Sequence, residues 1–287
     1  MKRFFLSFAF LAVILASPSC SKDLIDDPGK VPSGPVVKPG TTPSTPTDDP
    51  TDEPSDEPGD QGPEYEVDNW GYATFTHEGF QFKVRENRLS TEAAQAAVEH
   101  MKSDIDKIVS FVPEKVLEVM RTKPIWLEEN NSKNPSAAWY HTNAGYPGSY
   151  GDIPDKGKCV EITNYTYYVN WSNQNQPFMV FHELCHMYHD HGLGGSTNQT
   201  IKQAYRRAKN SGRYKEIYYR YNVNDPQEKW TKTTDAYCMN TEWEYWSEMS
   251  EAYWGENDYY PFNYEQLKEF DPDGFAMCEE IWGPREF

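Results

Sequence analysis

Residues 177–189 read Pro-Phe-Met-Val-Phe-His-Glu-Leu-Cys-His-Met-Tyr-His, and this stretch decides the fold. Its apolar side chains recur with helical spacing, and the four apolar residues before the first histidine predict that the helix is buried. His182 and His186 are one turn apart, so they project from the same face of that helix. Two neutral imidazoles at this spacing can bind one Zn²⁺ ion. The stretch therefore predicts a buried helix that carries two ligands of a metal site.

Residues 182–186 also form the pattern HExxH. Glu183 follows the first histidine directly, so its carboxylate lies beside the metal and can take a proton from a water molecule that the metal acidifies. The alternative is an ordinary helix with two core or surface histidines. Four of the seven histidines of the chain fall within the ten residues 182–191, and this clustering favours the metal site.

Zinc in such a site needs a third protein ligand. The extended metzincin pattern requires glycine three residues and histidine six residues after His186, but those positions hold His189 and Gly192. The metzincin class is therefore excluded. His189 lies another turn along the helix, too far for a third ligand, and we expect it to make a hydrogen bond in the core or beside the site.

A better source of the third ligand is residues 241–251, Thr-Glu-Trp-Glu-Tyr-Trp-Ser-Glu-Met-Ser-Glu. In a helix, Glu244, Glu248 and Glu251 share one face. A solvated acidic face is the ordinary explanation of such a stripe. Bulky apolar side chains dominate the rest of this segment, however, and carboxylates among them require a positive partner. Spacing alone permits any of the three as the ligand.

The HExxH pattern followed by a helix with Glu-x-x-x-Glu resembles the gluzincin class of zinc metallopeptidases. Tyr237 and Glu244-Tyr-Trp-Ser-Glu248 resemble, more closely, the catalytic domain of lethal-factor-type bacterial toxins and related secreted metallopeptidases. In that family a tyrosine seven residues before the glutamate ligand faces the substrate carbonyl, and residue 237 holds that tyrosine here. The resemblance covers roughly residues 136–283 and is strong around 181–191 and 235–256.

The resemblance implies a role for each matched residue. The zinc ligands are then His182, His186 and Glu244. Glu183 is the general base, Tyr237 is the oxyanion partner, and Glu248 orients a ligand histidine from one turn beyond Glu244.

The predicted elements are strands and a helix first and mostly helices afterwards, which indicates an α+β fold. We expect short strands at 72–75, 80–84, 124–127, 137–141 and 159–163, and a hairpin from 214–221 and 229–233. We expect helices that begin after Ser90 and at Pro113, and helices over 177–189, 198–210, 241–254 and 272–282. The resemblance implies a zincin-like fold with a small mixed sheet, an active-site helix and a mostly helical C-terminal half. The strand at 159–163 is our candidate for pairing with an extended substrate.

The first residues read as an export signal. Met1-Lys2-Arg3 precedes an apolar run over 4–16 and small residues that lead to Cys20. This resembles a bacterial lipoprotein signal over 1–19, with the lipid on Cys20; a plain secretory signal is the alternative. Residues 20–64 form the predicted tether, because 26–64 hold ten prolines and ten acidic residues against two lysines and should be disordered. We expect an exported protein, lipid-anchored to the outer membrane or cell surface, that contacts membrane only through this lipid.

Composition limits the partners. The chain of 287 residues has 27 Lys and Arg against 45 Asp and Glu, a net charge of −18, so nucleic-acid binding is not expected. We expect a monomer. Four cysteines follow Cys20, and in an exported protein they are either paired in disulfides or buried as thiols. They are Cys159, Cys185, Cys238 and Cys278.

With the resemblance, residues 65–287 are predicted to be a zinc metallopeptidase domain that hydrolyses peptide or protein substrates. The alternative is a glycan- or peptide-binding surface lipoprotein, suggested by 20 Tyr and 9 Trp, with a structural or vestigial zinc site. Structural zinc sites fill all four positions with protein ligands and have no need of a glutamate beside the first histidine. Glu183 therefore favours the enzyme.

Overall fold

The computed structural model describes residues 65–133 and 137–285; the predicted signal and tether lie outside these residues. Six strands form one mixed sheet in the order β1-β2-β3-β4-β6-β5. They are β1 (Glu66–Val67), β2 (Tyr72–His77), β3 (Phe80–Arg85), β4 (Ile125–Leu127), β5 (Ala138–Tyr140) and β6 (Val160–Ile162). Strands β3, β4 and β6 are parallel, whereas β1, β2 and β5 pair antiparallel with their neighbours. A mixed sheet with helices is consistent with the predicted α+β class.

Two helices connect the parallel strands β3 and β4, as a parallel crossover requires. They are α1 (Glu92–Val109) and α2 (Glu114–Met120). The apolar positions of α1 that recur every three or four residues are buried, so this stripe packs into the core. Thr91, and not Ser90, caps α1, because its hydroxyl accepts the Ala94 N–H at 3.2 Å. Sequence-based prediction of this end was therefore wrong by one residue.

Most of the remaining described chain is helical. The helices are α3 (Tyr146–Ser149), α4 (Tyr165–Gln174), α5 (Met179–His191), α6 (Gln199–Ser211), α7 (Glu242–Trp254), α8 (Tyr264–Phe270) and α9 (Pro272–Trp282). A second sheet pairs β7 (Ile217–Tyr219) with β8 (Thr231–Thr233). Sequence patterns missed α3, α4 and α8. Aromatic and β-branched residues in α4 lower its helix propensity, and the cap at Asn164, which accepts the Tyr167 N–H at 2.8 Å, was the available signal.

Strand β6 is internal, because β4 pairs with one of its edges and β5 with the other. Residues 159–163 are thus already paired and have no edge for a substrate, so that expectation was wrong. At this end of the sheet the edge strand is β5, and β1 lies at the other edge. Strand β5 lies against α5, where the Tyr140 hydroxyl donates to Asp190 Oδ2 at 2.6 Å.

Helices α5 and α7 pack against each other at the centre of the core. The Trp246 indole N–H donates to the Cys185 carbonyl oxygen at 2.9 Å. The same indole stacks on Trp282 of α9, with ring centroids 5.1 Å apart. Trp246 is fully buried. This tryptophan therefore fixes how α7 lies on α5.

The sequence left two alternatives for the four cysteines, disulfides or buried thiols, and the structure has thiols. Cys159, Cys185, Cys238 and Cys278 are buried, and no disulfide joins any two of them in the described structure. Within the described ranges, none of the helices has both the length and the apolar character needed to cross a membrane.

Replacement of Trp246 should lower the free energy of unfolding. We expect Trp246→Ala to cost about 3–5 kcal/mol, because it leaves a large cavity between α5, α7 and α9. Urea denaturation in the presence of a chelator measures this loss without a contribution from metal. Trp70, 43% exposed, is the matched control, and Trp70→Ala should cost less than about 1 kcal/mol. Equal losses in the two variants would contradict this packing.

Candidate metal centre

Three side chains from α5 and α7 converge in the buried core. Glu244 Oε2 lies 3.1 Å from His182 Nε2 and 3.4 Å from His186 Nε2. One nitrogen of each histidine and one oxygen of Glu244 all lie within 4.8 Å of one another. All three side chains are almost fully buried. The structure thus brings together the three ligands expected from the sequence.

The opposite nitrogens of the two imidazoles have partners on α7. His182 Nδ1 contacts Glu251 Oε1, a carboxylate oxygen that can only accept. His186 Nδ1 lies 3.2 Å from Ser247 Oγ, and that hydroxyl donates its one proton to the His182 carbonyl oxygen at 3.0 Å. Both Nδ1 atoms are therefore the protonated nitrogens, a tautomer assigned from these hydrogen bonds. In the neutral imidazoles each Nε2 carries a lone pair.

The three converging atoms are consequently all electron-pair donors. Two Nε2 lone pairs face the Glu244 carboxylate in a buried site, and this arrangement is repulsive unless a cation lies among them. Burial opposes the ionisation of Glu244, whereas a positive charge on His186 or His182 would hold the pKa of this carboxyl well below its usual range. A metal cation bound among the three groups acts in the same direction. The buried cluster is therefore suited to hold a metal ion. Two imidazoles and a carboxylate are a ligand set that zinc accepts.

The role that the resemblance gave to Glu248 is filled by another glutamate. Glu251 makes the contact with His182 Nδ1, while Glu248 Oε1 lies 4.0 Å from the same atom. The Asn257 amide donates to Glu248 Oε2 at 2.8 Å. Asn257 thus holds Glu248 away from His182. The ring of His182 lies between Glu244 and Glu251, which is two turns further along α7. The prediction of Glu248 as the orienting residue was wrong for this reason.

Two other groups of potential ligands occur in the described structure. One group combines His182 with Glu248 and Glu251. Its histidine nitrogen is Nδ1, which already donates its proton to Glu251. The other is His77, Glu78 and Asp106, at the surface. In that group His77 Nε2 pairs with Asp106 Oδ1 at 2.6 Å, and exposed acidic groups of this kind are common without a metal. The group that contains Glu244 is therefore the best candidate.

The other two predicted site residues lie next to this cluster. Glu183 is buried directly after His182 on α5. Tyr237 begins the 3₁₀ turn that precedes α7 and is half-buried. Its ring centroid lies 6.4 Å from that of His182. The side chain assigned to the oxyanion is thus close to a candidate metal ligand.

His189 does not make the expected hydrogen bond. It is fully buried and packs on Trp243, with ring centroids 4.1 Å apart. The Gly195 backbone approaches the ring, but neither ring nitrogen forms a hydrogen bond of acceptable geometry with the described residues. Burial and, after it, the neighbouring His186 lower the pKa of His189 to about 3. It is therefore a neutral packing residue, which agrees with its exclusion as a ligand.

Sequence reasoning missed Ser247 and Glu251 as partners of the ligand histidines. A signal for Ser247 was present, because serine is a poor residue for a buried helix interior unless its hydroxyl has a partner. Glu251 carried the same signal as Glu248, a carboxylate on the inner face of an aromatic helix. Spacing could not choose between them.

Comparisons of the chain with protein-family models, curated proteins and solved structures gave no match. The function is therefore argued from the geometry of the site.

Alanine substitutions of the glutamates of α7 should lower zinc affinity to different extents. Glu244→Ala should weaken zinc binding most, because it removes a ligand. Glu251→Ala should weaken it by about 10- to 100-fold, as expected when the partner of a ligand histidine is lost. Competition with a chromophoric chelator measures both affinities.

The control is Glu242→Ala, a partly exposed glutamate of the same helix, which should bind zinc like the wild type. His182→Ala and His186→Ala should both abolish tight binding. Equal affinities in the Glu244 and Glu242 variants would contradict the ligand assignment.

Proposed function

We propose that the protein is a zinc-dependent endopeptidase with a zincin-like fold. The observation that carries this proposal is the convergence of His182 Nε2, His186 Nε2 and Glu244 Oε2, beside Glu183 and Tyr237. In the described structure this group has three members, as in catalytic zinc sites, whereas structural sites use four protein ligands.

The residues divide the chemistry among them. His182, His186 and Glu244 would hold the ion. When bound there, Zn²⁺ supplies a Lewis acid that acidifies water and polarises a carbonyl group. Glu183 accepts the proton of the attacking water and later gives it to the leaving amine. The Tyr237 hydroxyl donates a hydrogen bond to the oxyanion that develops on the substrate carbonyl.

Strand β5 offers a place for the substrate backbone. The His141 N–H donates to the Cys159 carbonyl oxygen at 3.0 Å, and antiparallel pairing alternates along a strand. The backbone groups of Ala138 and Tyr140 therefore point away from β6. No described strand pairs with this edge, so an extended peptide can add to it beside α5. Edge pairing favours peptide or protein substrates over other amides.

The proposal includes the location of the enzyme. A lipid on Cys20 anchors the exported chain to the outer membrane or cell surface, and residues 20–64 hold the peptidase domain away from the bilayer. It acts as a monomer and needs no nucleic acid. The location is supported by the sequence of the first 64 residues, and the exclusion of nucleic acid by the net charge of −18 of the whole chain.

Two substitutions separate metal binding from chemistry. Glu183→Gln should bind zinc like the wild type and lose hydrolysis, because an amide cannot accept the proton of water. Tyr237→Phe should bind zinc and lose about 10²–10³ in kcat, the effect of removing one oxyanion donor. Zinc content and hydrolysis of a mixed peptide library measure the two properties. Wild-type turnover in both variants would show that these roles are wrong.

A second candidate is a binding protein for glycans or peptides. It is favoured by a cavity of about 630 Å³ at the carboxyl ends of β3 and β4, with polar side chains and an exposed tryptophan. Its lining includes Trp70, Arg85, Asn87, Asn131, Asp152 and Lys156. This cavity shares no residue with the metal cluster.

Zinc content combined with hydrolysis of the mixed peptide library separates the two functions. If the zinc-loaded protein leaves the library intact, and Trp70→Ala weakens binding on a glycan array, the binding function replaces the enzyme. Hydrolysis that is unaffected by Trp70→Ala supports the peptidase.

A further inference from the structure

Four tyrosines form a row from the protein surface to the candidate metal centre. We call Tyr221, Tyr219, Tyr259 and Tyr237 the tyrosine row. Consecutive ring centroids are 4.9, 4.8 and 6.4 Å apart. The last ring, that of Tyr237, is 6.4 Å from the ring of His182. The row thus ends beside a proposed zinc ligand.

The row is held in place by the backbone and by buried polar groups. Tyr219 and Tyr259 form a β-bridge between β7 and the segment 257–260. The Asn175 amide, which is fully buried, donates to the Tyr219 hydroxyl at 2.9 Å. Arg220 donates to the Asn257 carbonyl oxygen at 2.9 Å and closes the two segments on each other. Tyr219 and Tyr259, the two central members of the row, are therefore held in place before any ligand binds.

Packing of the core explains one member of the row, Tyr259, and not the other three. Tyr219, Tyr221 and Tyr237 lie outside the two clusters of buried apolar side chains. Tyr221 is 50% exposed and is among the most exposed large apolar side chains of the described residues. The other three rings are partly exposed. Accessible aromatic side chains that contact one another and lead to a site are typical of ligand binding.

We propose that the tyrosine row is a substrate subsite that selects aromatic side chains of an extended peptide. This inference rests on the proposed peptidase function. Alternate side chains of an extended chain lie on one face, about 6.6 Å apart, and the steps of the row are 4.8–6.4 Å. Aromatic side chains of the substrate at alternate positions can thus contact successive tyrosines. Each contact contributes about 2- to 10-fold to binding.

A peptide fits the row better than a glycan does. The row ends at Tyr237, whose proposed partner is the oxyanion of a peptide carbonyl. The open edge of β5 can pair with a peptide backbone and offers a sugar no matching ladder. Sugar rings also stack on tyrosine, so a glycan is an outcome that the test includes.

The test compares pairs of peptides that differ in one residue, phenylalanine or alanine, placed at alternate positions outward from the cleaved bond on each side in turn, because Tyr221 lies three rings away from Tyr237. At the position that contacts Tyr221, the zinc-loaded full chain should show a kcat/KM for the phenylalanine peptide about 2- to 10-fold above that for the alanine peptide. Tyr221→Ala should bring this ratio close to one, through KM, whereas Tyr221→Phe should keep it. Tyr146→Ala removes an exposed aromatic residue elsewhere, 47% exposed on α3, and should leave the ratio unchanged.

The results distinguish this inference from the proposed function. Hydrolysis with the same ratio in wild type and Tyr221→Ala overturns the subsite and leaves the peptidase standing. If the zinc-loaded chain hydrolyses neither peptide, the proposed peptidase function is wrong. Binding of the same peptides is then measured by calorimetry. A phenylalanine preference that falls in Tyr221→Ala then supports the row as a peptide site. Absence of that preference, or tighter binding of an oligosaccharide probe than of either peptide, overturns it.

Discussion

The mutual repulsion of two imidazole lone pairs and one carboxylate is the constraint on which the centre of this structure depends. His182, His186 and Glu244 are buried with these atoms 3.1 and 3.4 Å apart. The rest of the α5–α7 interface keeps the rings from turning away. Ser247 and Glu251 accept from the two Nδ1 atoms, so rotation of either ring would break a buried hydrogen bond. The protein thus maintains a site that is unfavourable in itself, which is what a cation site requires before the cation binds.

Sequence predicted the parts of this centre that depend on local geometry. A spacing of four residues on a helix places His182 and His186 on one face wherever that helix lies. The same rule placed Glu244 on the inner face of α7. The two helices were predicted at 177–189 and 241–254 and are found at Met179–His191 and Glu242–Trp254. Helical periodicity fixes such elements to within about two residues at each end.

The parts that failed depend on contacts between segments far apart in the chain. Glu248 and Glu251 have the same helical face and the same burial, and Asn257 decides between them by holding Glu248. The edge strand was misassigned in the same way. Residues 137–141 and 159–163 were both predicted as short strands, and their order in the sheet is set by the pairing of β6 with β4. Neither fact is encoded in the spacing of residues within one element.

The same contact that decides the role of Glu248 also joins the metal centre to the tyrosine row. Asn257 donates from its side chain to Glu248 and accepts through its carbonyl oxygen from Arg220. Two residues later, Tyr259 forms the bridge with Tyr219. A single short segment therefore touches the buried carboxylates on one side and carries a ring of the row on the other. Because a binding surface must be held to within about 0.5 Å of the reacting groups to be productive, attachment through one segment, and not through separate loops, is the arrangement that a substrate subsite beside this centre requires.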